Sequence, residues 1–197
     1  MSSEIKADLI KDKSGTKTLA TLSSSAVTLD SSVVFPAGGT GNPISVAVIA
    51  DEKSAGSQGG PSDSANNFEK RDLTTVLYDS EGTDGTVTID SSQFTLQGAG
   101  TYLINWSCPA FKSNAHQSRL YDVTGTTTLK AGSNAYTNAA DNTQTDSIGS
   151  VIHTITSNNV YEIQHRVETS RATNGHGVDY NNGIANIFCL VVIYKLK

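Results

Sequence analysis

Positive charge is sparse in this chain and nowhere gathers. Fourteen Lys and Arg stand against 19 Asp and Glu, for a formal net charge of −5. No basic stripe is present to track a phosphate backbone, which sets nucleic-acid binding aside. Cysteine is nearly missing: there are two, Cys108 and Cys189. Each sits among apolar residues, where a free thiol behaves as a small buried hydrophobe. Two reduced thiols are expected, with one disulfide between them as the alternative. Neither C-x-x-C nor H-x-x-x-H spacing occurs around them or around His116, His153, His165 and His176. No metal and no other cofactor is therefore expected.

Long apolar runs are missing too. No stretch reaches the length of a membrane span, and Met1 to Lys6 contains no apolar core of signal-peptide length. A chain made in a cytoplasm, with no membrane insertion, is the expectation. Catalytic signatures are equally scarce. There is no G-x-S-x-G elbow, and the Gly-rich stretches 36–41 and 56–60 lack the Gly-Lys-Ser/Thr of a phosphate loop. Asp51, Glu52, Asp84 and Asp90 show no pattern marking two carboxylates held across a groove, as sugar cleavage requires. The expectation is a protein that is not an enzyme.

What the chain does have is Thr, Ser, Asn and Gly in short alternating segments, and one apolar stretch, 183–195. Val, Ile, Phe and Tyr dominate that stretch and turn residues precede it, the composition of a strand. Both of its faces are apolar. Ile184, Phe188, Leu190, Val192 and Tyr194 fall on one; Ala185, Ile187, Cys189, Val191 and Ile193 fall on the other. Central antiparallel strands usually keep one wet face. A strand that is apolar on both needs two covers: a second sheet and, most simply, another copy of the chain, with loops of the same chain as the alternative. Ile187, Cys189, Val191 and Ile193 are the candidates for core or self-association.

Residues 1–42 read differently from 43–197. Ile5, Leu9, Leu19, Val27 and Leu29 belong to short extended segments with too little apolar area for a core of their own. Pro36 to Pro43 follows as a linker. From Ile44, strands are expected at 44–50, 73–78, 86–90, 94–96, 102–106, 119–123, 126–130, 147–155 and 160–167. Hairpin turns are expected at Thr124-Gly125 and Asn158-Asn159, and 94–96 and 102–106 are expected as a strand pair. No segment has a helical period. The expected fold is all-β, an antiparallel jelly-roll sandwich with an extended N-terminal β arm. Within the loop 174–183, Asn174, His176, Tyr180 and Asn181 are the candidate recognition residues; a plain Gly/Asn turn is the alternative.

An ordered set of segments carries a resemblance. Arg71-Asp72-Leu73-Thr74-Thr75-Val76, then Phe94-Thr95-Leu96 with Gly100-Thr101-Tyr102-Leu103-Ile104, Pro109-Ala110 and His116-Gln117-Ser118-Arg119-Leu120-Tyr121 resemble a domain at the C-termini of bacteriophage fibre and tail proteins. The Gly-x-Tyr strand after Phe-x-Leu is also similar to the complement-type and tumour-necrosis-factor-like trimeric jelly roll. Met1 to Gly15 resembles the start of virion proteins of cyanobacterial and marine phages. The likeness covers about residues 68–197 and, more faintly, the first 15. It departs in having no long shaft between arm and head.

The resemblance implies a homotrimer in a virion, made in the host cytoplasm, with other capsid or tail proteins bound through residues 1–42. It implies a short fibre whose head contacts a host-surface glycan or protein. A capsid decoration or cement protein without a receptor is the alternative, and a glycan-hydrolysing tailspike is the alternative of another class. On three copies meeting at an axis, a ring of His165 would be the one arrangement that offers a metal site.

Overall fold

The computed structural model describes residues 9–11, 18–22, 27–29, 44–62, 65–82 and 85–196. The chain divides into two compact units, Met1–Pro43 and Ile44–Lys197. In the first, β1 (Leu9–Lys11), β2 (Thr18–Leu22) and β3 (Val27–Leu29) form an antiparallel sheet in the order β1-β2-β3. Leu9 pairs with Thr21, Ala20 with Leu29 and Leu22 with Val27. The short segments thus satisfy their backbone groups on one another, where the sequence suggested separate extended pieces. Ile5 lies outside the described residues.

The second unit is an all-β sandwich of two antiparallel sheets. Its strands are β4 (Ser45–Lys53), β5 (Phe68–Lys70), β6 (Thr75–Asp79), β7 (Val87–Asp90), β8 (Gln93–Leu96), β9 (Gly100–Phe111), β10 (Asn114–Asp122), β11 (Thr127–Thr137), β12 (Gln144–Ile155), β13 (Asn159–Val167) and β14 (Asn186–Lys195). One sheet runs β12-β9-β14-β4-β6; the other runs β11-β10-β13-β8-β7, with β5 also pairing to β13. The chain crosses repeatedly between sheets, giving the jelly-roll arrangement.

Alternation decides which side chains meet between the layers. In β10, His116, Ser118, Leu120 and Asp122 point inward while Gln117, Arg119 and Tyr121 point out. In β9, Tyr102, Ile104, Trp106 and Cys108 are inward. With Phe94, Leu96, Ile163, Val191 and Ile193 they make one core. Each such large apolar side chain, fully buried, contributes about 1.5–3 kcal/mol.

Two expected pairings are corrected. β12 and β13 belong to different sheets, as do β8 and β9. The Asn158-Asn159 and Gly98–Gly100 turns are therefore corners that carry the chain from one layer to the other. The β10–β11 hairpin pairs around its turn as its sequence suggests. β5 had no apolar run to announce it; it is held on the edge of β13 by three residue pairs.

Candidate functional site

The sheet centred on β14 carries its second apolar face outward. Register fixes the rows. Tyr78, Val48, Val192, Asn105 and Ser150 line up across five strands. Beside them run Val46, Tyr194, Leu103 and Ile152. Tyr78 is 56% exposed, Ile152 64% and Ile148, on the same face of β12, 59%. Val46, Val48, Leu103, Leu190, Val192 and Tyr194 are half-buried by their neighbours alone. Leu, Val and Ile gathered across a sheet, with Asn105, Ser107 and Ser150 among them and Asp146 at the margin bonded to Ser107, form an exposed apolar patch of the kind that marks an interaction surface.

The four β14 candidates do not share a face. Cys189, Val191 and Ile193 are fully buried in the sandwich, whereas Ile187 is 47% exposed. The cause is a β-bulge: Ile187 pairs with Glu52 and Cys189 with the next residue, Asp51. Phe188 and Cys189 consequently both turn inward. A bulge shifts the alternation by one residue, which no reading of apolar parity detects. The outward set is Leu190, Val192 and Tyr194.

Under one end of this sheet lies a buried polar assembly built on Arg71, between β5 and β6. Its guanidinium is wholly enclosed. It donates to the carbonyls of Pro109 at 3.1 Å, His176 at 2.9 Å and Phe188 at 2.5 Å, and to Nδ1 of His165 at 3.1 Å. Asp51 supplies the countercharge: Oδ2 stands 4.0 Å from the guanidinium and Oδ1 3.0 Å from Lys53 Nζ. Both are ion pairs, and the Arg71 contact is too long for a hydrogen bond. Burial raises the Asp51 carboxyl above its ordinary value, against the pull of Lys53 and Arg71.

The arginine sets a proton order through two histidines. A guanidinium only donates, so His165 Nδ1 accepts and its Nε2 carries hydrogen. Nε2 then donates to His116 Nδ1 at 3.0 Å, leaving His116 Nε2 to donate to Thr145 Oγ1 at 3.0 Å. Thr145 passes its own proton to the Tyr136 carbonyl at 3.1 Å. His176 stacks on His165, ring planes 5° apart and centroids 5.9 Å. All three rings are held neutral. Burial lowers His116 to about 4 and His176 to about 2, and puts His165 well below its usual range, with Arg71 adding to each.

This assembly bolts down half of the candidate recognition loop. Asn174 is half-buried and His176 only 7% exposed. His176 is thereby withdrawn from any surface role. The backbone explains how: Gly177 has φ +131, and a Cβ there would lie 2.4 Å from the Phe188 ring. Gly59 N donates to the Gly177 carbonyl, and Ser62 bridges Arg171, tying the loop to the segment after β4. Past Asp179 the chain emerges; Tyr180 is 74% exposed and Asn181 is exposed with φ 51. His165, 1% exposed, faces the core and lies away from the outward face where an axis would run.

The remaining candidates fall into place separately. Cys108 and Cys189 are free, buried and directly opposed on β9 and β14, with sulfurs 3.2 Å apart. Of the carboxylates, Asp51 is spent on Arg71 and Lys53, Asp90 is exposed on β7, and Asp84 lies outside the described residues. Leu9, Leu19, Val27 and Leu29 sit on the strands of the N-terminal unit. Arg71 was the residue sequence reasoning missed as a functional centre. Its partners come from four distant segments, and nothing local signals that an arginine will be wholly buried.

No protein-family model matches the chain, and no curated protein matches it. Solved structures do. The PRD1 vertex protein P5 is 14% identical, with a TM-score of 0.49 over 78% of this chain and 97% of that one. The Eiger TNF from S. frugiperda is 10% identical, with a TM-score of 0.49 over 79% and 94%. The globular domain of zebrafish complement 1qA is 12% identical, with a TM-score of 0.45 over 78% and 97%. The fold and the site define an all-β jelly-roll protein with an apolar outward sheet face.

Proposed function

We propose that this chain is a structural protein of a bacteriophage particle: a short fibre that docks by residues 1–42, self-associates as a homotrimer, and presents its jelly-roll head for host-surface attachment. The observation that carries the self-association is the outward face of the β14 sheet. Val48, Val192, Tyr194, Leu103 and Ile152 lie contiguous on it by register, with no charged side chain in the two central rows. Covering such a face with a second and third copy removes apolar area from water at about 25 cal/mol per Å².

The part assigned to the head is attachment by binding. Among the described residues Asp51 is paired with Arg71 and Lys53 and Asp90 lies exposed on β7, and the buried histidines are held neutral in a hydrogen-bonded chain. The arm's part in docking is supported by its forming a unit of its own.

Light scattering on the full chain tests the association: a trimer mass is expected at micromolar concentration, and a well-folded monomer would overturn it. Deleting residues 1–35 tests the polarity. The head should remain soluble and associated while incorporation into particles is lost; arm-deleted protein that still assembles would show the head to be the anchor.

A further inference from the structure

The opposite face of the sandwich carries a small pocket of mixed polar and apolar lining, and we infer that it binds a neutral polyhydroxylated ligand, the terminal sugars of a glycan. The inference rests on the attachment reading and names its ligand class and its site.

The pocket opens on the outward side of the β11-β10-β13 sheet and holds about 300 Å³, at the small end of ligand cavities. Its origin is a single small residue. Two rows of side chains cross this face. Asn134, Gln117 and Arg166 stand in one, and Tyr136, Ala115 and Glu168 in the next. Ala115 leaves a gap in the second row, bordered by Gln117, Arg166 and Glu168. Asn66 closes a further side, its Oδ1 accepting from Arg166 at 3.1 Å.

The polar groups around the gap are half-used. Gln117 donates its amide to the Gly132 carbonyl at 2.9 Å, which leaves Oε1 as an acceptor. Glu168 accepts the Ala115 amide on Oε2 at 3.1 Å, which leaves Oε1. Asn66 keeps its NH₂, Arg166 keeps further guanidinium hydrogens, and the Asn134 amide has no side-chain bond among the described residues. Donors and acceptors thus alternate around one small opening. A sugar hydroxyl both donates and accepts, and planar amide, carboxylate and guanidinium groups meet two adjacent hydroxyls at once. Arg166 and Glu168 cancel in charge, so the site favours neither a phosphate nor a polyacid. Ala115, Ala135 and Val167 supply the apolar part of the lining, against which the C–H face of a pyranose can rest. The pocket lies on the sheet facing away from the β14 sheet, so it stays open in an assembly made through that sheet's outward face.

The test uses the full-length protein and a panel of free glucose, galactose, mannose and N-acetylglucosamine with their short neutral oligosaccharides. Amide NMR shifts should appear at Ala115, Gln117, Asn134 and Arg166 for at least one sugar. They should vanish in Ala115→Phe, which fills the gap from a solvent-facing position, and weaken at least tenfold in Asn134→Ala. Both variants should keep the wild-type mass by light scattering, so that loss of sugar binding and loss of association are read separately. Silence across the panel overturns the pocket while leaving the trimer standing. Shifts that survive Ala115→Phe, or a response only to short peptides, overturn it as well.

Discussion

His165 and His116 share one proton across 3.0 Å, Nε2 of the first donating to Nδ1 of the second. The order is imposed from Arg71, and neither acceptor nitrogen can take up a proton without breaking a bond already made. Each ring is therefore neutral in the folded protein and protonated in the unfolded chain below about pH 6.5.

Acid lability follows. With folded-state values depressed, His116 to about 4, His176 to about 2 and His165 well below normal, the unfolded chain binds more protons. The stabilisation is complete above about pH 6.5 and drains as the pH falls toward 4, by about 1.4 kcal/mol per pH unit for each titrating histidine. Asp51, with its raised carboxyl, works the other way toward the acid end. Urea unfolding at stepped pH should show stability dropping steeply between pH 6.5 and 4.5. A level profile across that window contradicts the neutral chain.

Arg71→Lys should cost about 3–5 kcal/mol, because one ammonium cannot replace a fork that serves three carbonyls and a histidine. Hydrogen exchange should quicken first across 175–189, the segment whose His176 and Phe188 carbonyls are released. Unchanged protection there would show that the loop is held by packing alone.

Neighbouring valines on β14 separate folding from association. Val191 is wholly buried and Val192 faces outward. Val191→Asp should abolish folding or cost several kcal/mol. Val192→Asp should cost a dissociated chain only about 1 kcal/mol, well short of the loss at Val191, while lowering the mass seen by light scattering. If Val192→Asp keeps the wild-type mass, the outward face is not the contact.

Gly149 lies directly across from Trp106, and a Cβ there would fall 1.9 Å from the indole ring. Gly149→Ala must push aside the one tryptophan of the chain and its 2.8 Å bond to Ser118. A loss of about 1–3 kcal/mol is expected, with a shifted native fluorescence maximum. An unmoved maximum would mean that the ring is not seated on that glycine.

Much of this was legible in the residues, and the illegible parts share a cause. Period-two alternation announced most strands of the head, and the double apolarity of β14 announced a face needing cover. Which strands pair was less readable. Asn158-Asn159 has turn chemistry whether the chain folds back within a sheet or crosses to the other, so the local signal is the same for both. The bulge after Ile187 put Ile187 and Phe188 on the faces opposite to those inferred, because it is one unpaired residue with no compositional mark. His176 looked like a loop residue because Gly175 and Gly177 flank it. Those glycines instead let the backbone pack against Ser62 and Phe188.

The place of β14 between β4 and β9 also governs how quickly the sheet can form. Ser45 pairs with Lys195 and Tyr102 pairs with the same lysine, so the middle of the sheet is closed by segments far apart in the chain. Loop-closure entropy must be overcome before those contacts return any energy, and non-local β topologies of this kind fold in about milliseconds to seconds. Until β14 arrives, β4 and β9 each present an open, apolar edge to every other chain nearby. Yield on refolding should therefore fall with protein concentration more sharply than stability alone would suggest, because the slow step and the sticky edges are the same event.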